Sequence, residues 1–370
     1  MRTELCDRLG IEYPIVGFTP SEHVAAAISK AGGLGVLGCV RFNDPSELSG
    51  VLDWMDENTD GRPYGVDVVM PATVPTEGSA VDLDKLIPAG HREFVATTLQ
   101  RLGVPPLPDD GDAGGVLGWL HSVARSHVEI ALTHPIALIA NALGSPPLDV
   151  IEQAHAHGVP VAALAGKAEH ARRHVANGVD IVVAQGHEAG GHTGEIATMV
   201  LVPEIVDAVG ASVPVLAAGG IGSGRQVAAA LALGAAGAWT GSIWLTVAEY
   251  QLAATESDGG SAMQRALLAA TSGDTVRSRI YTGKPARLLR TKWTDAWAAP
   301  DAPAPLPMPL QNILVSEAHR RIAAAGDPAV VSMPVGQIVG RMNEIRPVAE
   351  VLAGLLAEFE TAVDRLAAYR

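Results

Sequence analysis

Apolar residues fall along this chain in short continuous runs, separated by stretches whose apolar positions recur every three or four residues. Glycine or proline marks most of the joins. Continuous short runs suit strands buried on both faces, and the periodic stretches between them suit helices packed on those strands. That alternation is the signature of repeated βα units around a parallel sheet. Strands are predicted at residues 14–17, 34–37, 64–69, 136–140, 161–164, 181–184, 214–218 and 237–241. Helices are predicted at 23–31, 148–157, 167–177, 203–209 and 225–233. Eight strands are the number that closes a TIM (β/α)8 barrel.

Two regions break the rhythm. Residues 71–132 are irregular, with helical patches and a Pro/Asp/Gly-rich loop at 105–115, and read as an excursion on the barrel that could act as a lid. From residue 263 the pattern reads as helical, interrupted by a Pro/Ala linker at 298–309 and closed by an amphipathic helix at 347–369. The division is therefore a barrel domain at 1–262 and a C-terminal helical cap at 263–370. The cap packs on the barrel or serves an oligomer interface such as a homodimer.

A chain of 370 residues that is 48% hydrophobic can bury a core of this size. Aromatics at 4% and a formal charge of −14 oppose nucleic-acid and anionic-membrane partners. An anionic cofactor remains compatible, because main-chain N–H groups at a helix start attract phosphate whatever the net charge. Cys6 and Cys39 are too few for a disulfide framework and read as small buried thiols, which fits a reducing cytoplasm. Residues 226–248 carry no charge and are long enough to span a bilayer, but Gly234, Gly237 and Gly241 divide them into helix, turn and strand. No membrane span and no signal peptide are expected.

In such a barrel the chemistry gathers at the C-terminal ends of the strands. Three glycine-rich clusters fall there: Gln185-Gly186-His187-Glu188-Ala189-Gly190-Gly191-His192, then Gly219-Gly220-Ile221-Gly222-Ser223-Gly224, then Trp239-Thr240-Gly241-Ser242. The second and third follow the last two predicted strands, where many barrels grip phosphate with glycine main chain and a helix N-terminus. Arg225 either assists the phosphate or begins a solvated helix face. The first cluster is poor material for helix or core. Metal binding by His187, Glu188 and His192 lacks the i, i+4 helical pairing of zinc proteases, and no metal is expected. A flavin site explains more, with Gln185 bonding the ring edge and His192 facing the substrate. His155, His157, His170 and His174 read as solvated helix residues.

Ala184-Gln185-Gly186-His187-Glu188-Ala189-Gly190-Gly191-His192-Thr193-Gly194 and Val215-Leu216-Ala217-Ala218-Gly219-Gly220-Ile221 resemble the nitronate monooxygenase family, formerly called 2-nitropropane dioxygenases. Ala31-Gly32-Gly33-Leu34-Gly35 and Glu344-Ile345-Arg346-Pro347 support the likeness, which spans nearly the whole chain. The resemblance implies an FMN barrel with contacts from Gln185, Gly190, Gly191, Gly219, Gly220, Trp239, Thr240, Gly241 and Ser242. It implies His192 as catalytic base, an imidazole near its usual pKa that takes the proton α to a nitro group. Family members oxidise alkyl nitronates with O2 to a carbonyl compound and nitrite.

The chain departs from that pattern near the ring. Gly17-Phe18-Thr19 replaces the alanine-proline-methionine after the first strand, and Gly17 is placed in the cofactor set. Asp67 stands where many members have asparagine; it can accept the flavin N3–H but would oppose charge on a reduced ring. Ala140, Asn141 and Ala142 replace expected aromatic or histidine positions. Two rivals follow: an NAD(P)H-fed flavin reductase of enones or enoyl thioesters, and a flavin-binding protein without turnover.

Overall fold

The computed structural model describes residues 1–70, 83–107, 121–211, 213–250 and 261–369. Strands β1 (Ile15–Thr19), β2 (Leu34–Gly38), β3 (Tyr64–Val69), β4 (Leu138–Ala142), β5 (Val161–Ala165) and β6 (Ile181–Gln185) pair in sequence order. After the two-residue strand β7 (Gly191–His192), β8 (Val215–Ala218) pairs with β6 and β9 (Gly237–Thr240) returns to β1. Every pairing in this ring is parallel, and Gly17 opposite Thr240 closes it. The expected barrel is therefore present, with all eight predicted strands in it.

Side chains alternate between the interior and the helical ring. Val16, Phe18, Leu34, Val36, Leu138, Ala140, Leu164, Ile181, Val183, Leu216, Ala218 and Trp239 fill the interior. Leu5, Cys6 and Leu9 of the short helix Glu4–Leu9 join them, and Thr3 Oγ1 donates to Ala236 O just before β9. That helix plugs the N-terminal end and leaves the opposite mouth for chemistry. On the outside, Tyr64, Val66 and Val68 face Leu48, Leu52 and Met55 of the helix Pro45–Asn58. Parity then turns Asp67 inward.

Several expectations change in detail. The helix predicted from Pro203 begins at Thr198 and carries Pro203 inside it. Proline is favoured in a first turn, which drew the predicted boundary too late. The excursion contains helices Ala89–Arg101 and His121–Ala131; residues 71–82 and 108–120, and so most of the expected lid loop, lie outside the described residues. His174 is not solvated: it is 1% exposed, and its Nε2 lies 3.0 Å from Leu164 O. His155 is exposed as expected and meets Asp180 at 2.7 Å. Cys6 and Cys39 are both buried.

The tail is not helical throughout. Beside helices Ala262–Ala269, Leu310–Ala325 and Val348–Ala367 it contains strands β10 (Thr275–Ser278) and β11 (Ala286–Leu289). These form an antiparallel hairpin, and β11 pairs with β7, so the cap contributes a small sheet to the His192 loop. Among the described residues no helix is long and apolar enough to cross a membrane. The uncharged stretch 226–248 divides into the helix Gly224–Ala232, strand β9 and a 3-10 turn at Ser242–Trp244.

Candidate active site

The loop after β6 is held by its own polar groups and by the tail. The helix Thr198–Val209 has Ala197 at its N-cap, with no side-chain oxygen to offer its free N–H groups. Glu188 supplies the missing acceptor from ten residues upstream: its carboxylate takes Thr198 N–H at 3.0 Å and Thr198 Oγ1–H at 2.8 Å. A carboxylate so engaged is spent on the helix terminus. Of the three residues weighed for a metal, Glu188 is thus engaged by the main chain and side chain of Thr198. Among the described residues, the side chains grouped closely enough for a metal are Asp53, Asp56 and His134, on the flank of the barrel. There Asp56 already bonds His134 Nδ1 at 2.8 Å and Tyr64 Oη at 2.6 Å.

From the tail, Arg287 is 5% exposed and donates Nε–H to His187 O at 3.0 Å and Nη1–H to Thr275 Oγ1 at 3.0 Å. Arg277 donates to Thr193 O at 3.1 Å. The two guanidinium groups grip the main chain on either side of Gly191 and His192. His192 pairs with Ala286, and its Nε2 lies 2.6 Å from Thr282 Oγ1. Burial, aided by the nearby Lys284 ammonium, pushes the imidazole down to about 4. The ring is thus neutral at neutral pH, as expected, but it does not stay near its usual pKa.

Thr282, Arg277 and Arg287 were missed by sequence reasoning. Their signal was the short alternation Thr275-Val276-Arg277-Ser278 and Ala286-Arg287-Leu288-Leu289 around Gly283, inside a tail read as helix.

The mouth itself presents Phe18, Asp67, Leu164, Gln185 and Trp239. Phe18 and Trp239 stack with centroids 6.3 Å apart. Asp67 is 4% exposed and its Oδ2 has no hydrogen-bond partner among the described residues. Burial pushes its carboxyl well above the usual range, toward the neutral form. A neutral acid can donate a hydrogen bond as well as accept one, so the objection that a carboxylate would repel a reduced ring weakens. Gly219 (φ +99°) and Gly220 (φ +71°) follow β8 in the left-handed region, which glycine adopts freely. A Cβ on Gly219 would approach Gly186 O to 2.9 Å, and one on Gly220 would meet Glu188 Cβ at 3.3 Å.

Other expected contact residues also have structural neighbours. A Cβ on Gly17 would lie 2.5 Å from Ile28 Cδ1 and 2.8 Å from Trp244 Nε1, so close packing of strand on helix requires glycine there. Gly190 is pressed by Val335 and Gly336, whose main chain a Cβ would meet at 2.8 Å. Gly191 (φ +74°) turns the loop into the strand pair with Arg287. Thr240 Oγ1 donates to Val16 O at 3.0 Å and accepts Trp244 Nε1–H at 2.9 Å, leaving its main chain alone for a ligand. Ser242 Oγ accepts Gly336 N–H at 2.8 Å beside Gly241.

The expected helix terminus for phosphate is also taken. Gly224 N–H bonds Glu358 at 3.0 Å, Gly222 N–H bonds Gln226 at 2.9 Å, and Arg225 is an exposed face residue. The last tail helix, Val348–Ala367, sits so close that a Cβ on Gly224 would collide with Leu355 O.

An inward-facing orphan carboxyl, a paired-glycine turn and a glutamine at one barrel mouth fit a planar, hydrogen-bonding ring with a phosphate tail. Comparison with known proteins agrees. The family model described as nitronate monooxygenase matches residues 2–358. A Mycobacterium tuberculosis protein named as a monooxygenase is 50% identical, with 99% of this chain and 98% of that one covered. The structure of nitroalkane oxidase from Streptomyces ansochromogenes superposes with a TM-score of 0.79 at 29% identity, covering 98% of this chain and 99% of the other. FabK from Thermotoga maritima superposes with a TM-score of 0.75 at 27% identity over all of both chains. The chain belongs to the nitronate monooxygenase family and is a flavin-dependent oxidoreductase.

Proposed function

We propose that this enzyme binds FMN at the barrel mouth and oxidises alkyl nitronates with O2 to a carbonyl compound and nitrite. The observation that carries the reading is the placement of His192, neutral and clamped through its own main chain, on the loop that leaves the mouth-lining Gln185. Main-chain N–H groups of Gly219, Gly220, Gly241 and Ser242 hold the phosphate, while Gln185 and Asp67 bond the edge of the ring. FMN supplies the two-electron acceptor for the substrate carbon.

This chain's residues do the rest. His192 takes the α-proton of a neutral nitroalkane, giving the anion that is oxidised. An imidazole pushed down to about 4 is by itself a weak base. Negative charge developing on the substrate beside it favours the protonated ring and so strengthens it as the proton moves. Phe18, Leu164 and Trp239 give the mouth an apolar wall that displaces water from the reacting carbon. A small organic substrate is the partner, and the cytoplasm suits it.

The test is the flavin's absorbance. FMN-loaded protein, mixed anaerobically with ethylnitronate, bleaches within seconds and recolours on admitting O2 with release of nitrite. Rapid bleaching by NADPH with none by nitronate would replace this reading with the reductase one. No bleaching by either would leave a flavin carrier.

A further inference from the structure

The neutral imidazole of His192 has one N–H and one lone pair, on different nitrogens. Whichever nitrogen the protein engages as donor, the other is the base. We infer that Thr282 is a positioning residue that accepts the Nε2–H of His192 and so leaves Nδ1 as the atom that takes the substrate's proton. The inference rests on His192 acting as base.

Three observations support it. Nε2 lies 2.6 Å from Thr282 Oγ1, a full-strength contact. Nδ1 has no hydrogen-bond partner among the described residues, yet it is not sealed in the protein as the Nδ1 atoms of His127 and His174 are. It is therefore the ring nitrogen left open to an incoming molecule. The same oxygen also takes Lys284 N–H at 3.3 Å, so it already serves as an acceptor within its own turn.

Thr282 is also fixed from behind. It is 6% exposed, and the following Gly283 (φ +92°) donates its N–H to Arg279 O at 2.8 Å. A Cβ on Gly283 would lie 2.5 Å from Leu306 O, so the turn rests directly on that segment. Fully buried Gln311 ties the two together, taking Leu306 N–H and giving to Ile280 O, each at 2.9 Å. His192 is fixed by its pairing with Ala286, four residues beyond Thr282. Both partners of the contact thus belong to one small sheet, and the ring cannot turn without giving up the bond. A hydroxyl held this rigidly keeps Nε2 engaged, and with that hydroxyl as acceptor the free lone pair is on Nδ1.

The test uses the FMN-loaded protein with 15N-labelled histidine, His192→Asn identifying the His192 signals. Long-range 1H–15N spectra are expected to show the Nε2–H tautomer in the parent. Thr282→Val keeps the shape and removes the acceptor, so the signal should move to a tautomer mixture; Thr282→Ser should restore it. With neutral nitroalkane, Thr282→Val should lower kcat about tenfold with KM little changed, the scale of one hydrogen bond's loss, while oxidation of preformed nitronate, which has no α-proton to give, should change little. An Nδ1–H tautomer in the parent, or a spectrum unmoved by Thr282→Val, overturns the inference. Failure of the parent to oxidise nitronates would sink the proposed reaction instead, and the spectra would still decide what Thr282 does.

Discussion

Asp67→Asn separates two costs that the buried carboxyl carries. Asparagine is nearly the same size, so packing against the interior wall changes little. Its amide brings N–H donors to a place where Asp67 Oδ2 already lacks a partner, a pH-independent penalty of about 1–3 kcal/mol. The second cost depends on pH. Burial raises the carboxyl of Asp67 in the folded protein above its unfolded value. The folded chain therefore holds a proton that the unfolded chain releases. Its contribution is complete below about pH 4 and is lost as pH rises, by up to about 1.4 kcal/mol per unit until the folded group also ionises.

His192 slopes the other way, since its folded pKa is pushed down to about 4. It does so in both proteins and cancels from the difference. Urea unfolding of flavin-stripped protein at pH 4.5, 5.5 and 6.5 should thus show Asp67→Asn gaining on the parent at each step. Curves that stay parallel would refute the claim that Asp67 is held toward its neutral form.

His192→Asn should keep its flavin and lose turnover of neutral nitroalkane by about a hundredfold or more, as loss of a general base does; unchanged turnover removes His192 from the mechanism. The pH profile of kcat/KM should lack a limb near 6.5 and fall only as the imidazole protonates toward about 4, so a half-maximum near 6.5 contradicts the burial argument. Gly220→Val places a branched side chain at φ +71° against Glu188, and the purified variant should be colourless; a yellow protein would show that the turn does not cradle the phosphate. Arg287→Met should cost about 1–3 kcal/mol in urea unfolding by stranding the acceptor His187 O, and a variant as stable as the parent would deny the clamp.

The barrel was legible because strands such as Ile181–Gln185 are uninterrupted apolar runs that only a two-sided burial explains. The glycine clusters were legible because they stand at strand ends. What escaped depends on partners far along the chain. Arg277 and Arg287 look like ordinary basic residues until the loop they grip, 84 and 100 positions away, lies beside them. Glu188 had no role assigned from sequence because its partner is the main chain of Thr198, which has no sequence signature. At Gly17 the alternation along β1 was legible too: Val16 and Phe18 point inward, so a side chain at 17 would point toward the helices, leaving only main chain to face the mouth.

The pairing of β7 with β11 also sets an order of events during synthesis. Barrel strands leave the ribosome before the hairpin that steadies the histidine exists, because β11 begins nearly fifty residues after β9 ends. A nascent chain can close its sheet while its reactive ring still hangs loose. A protein cut short before Ala286 lacks the strand that pairs with β7 and so leaves the His192 loop without its support.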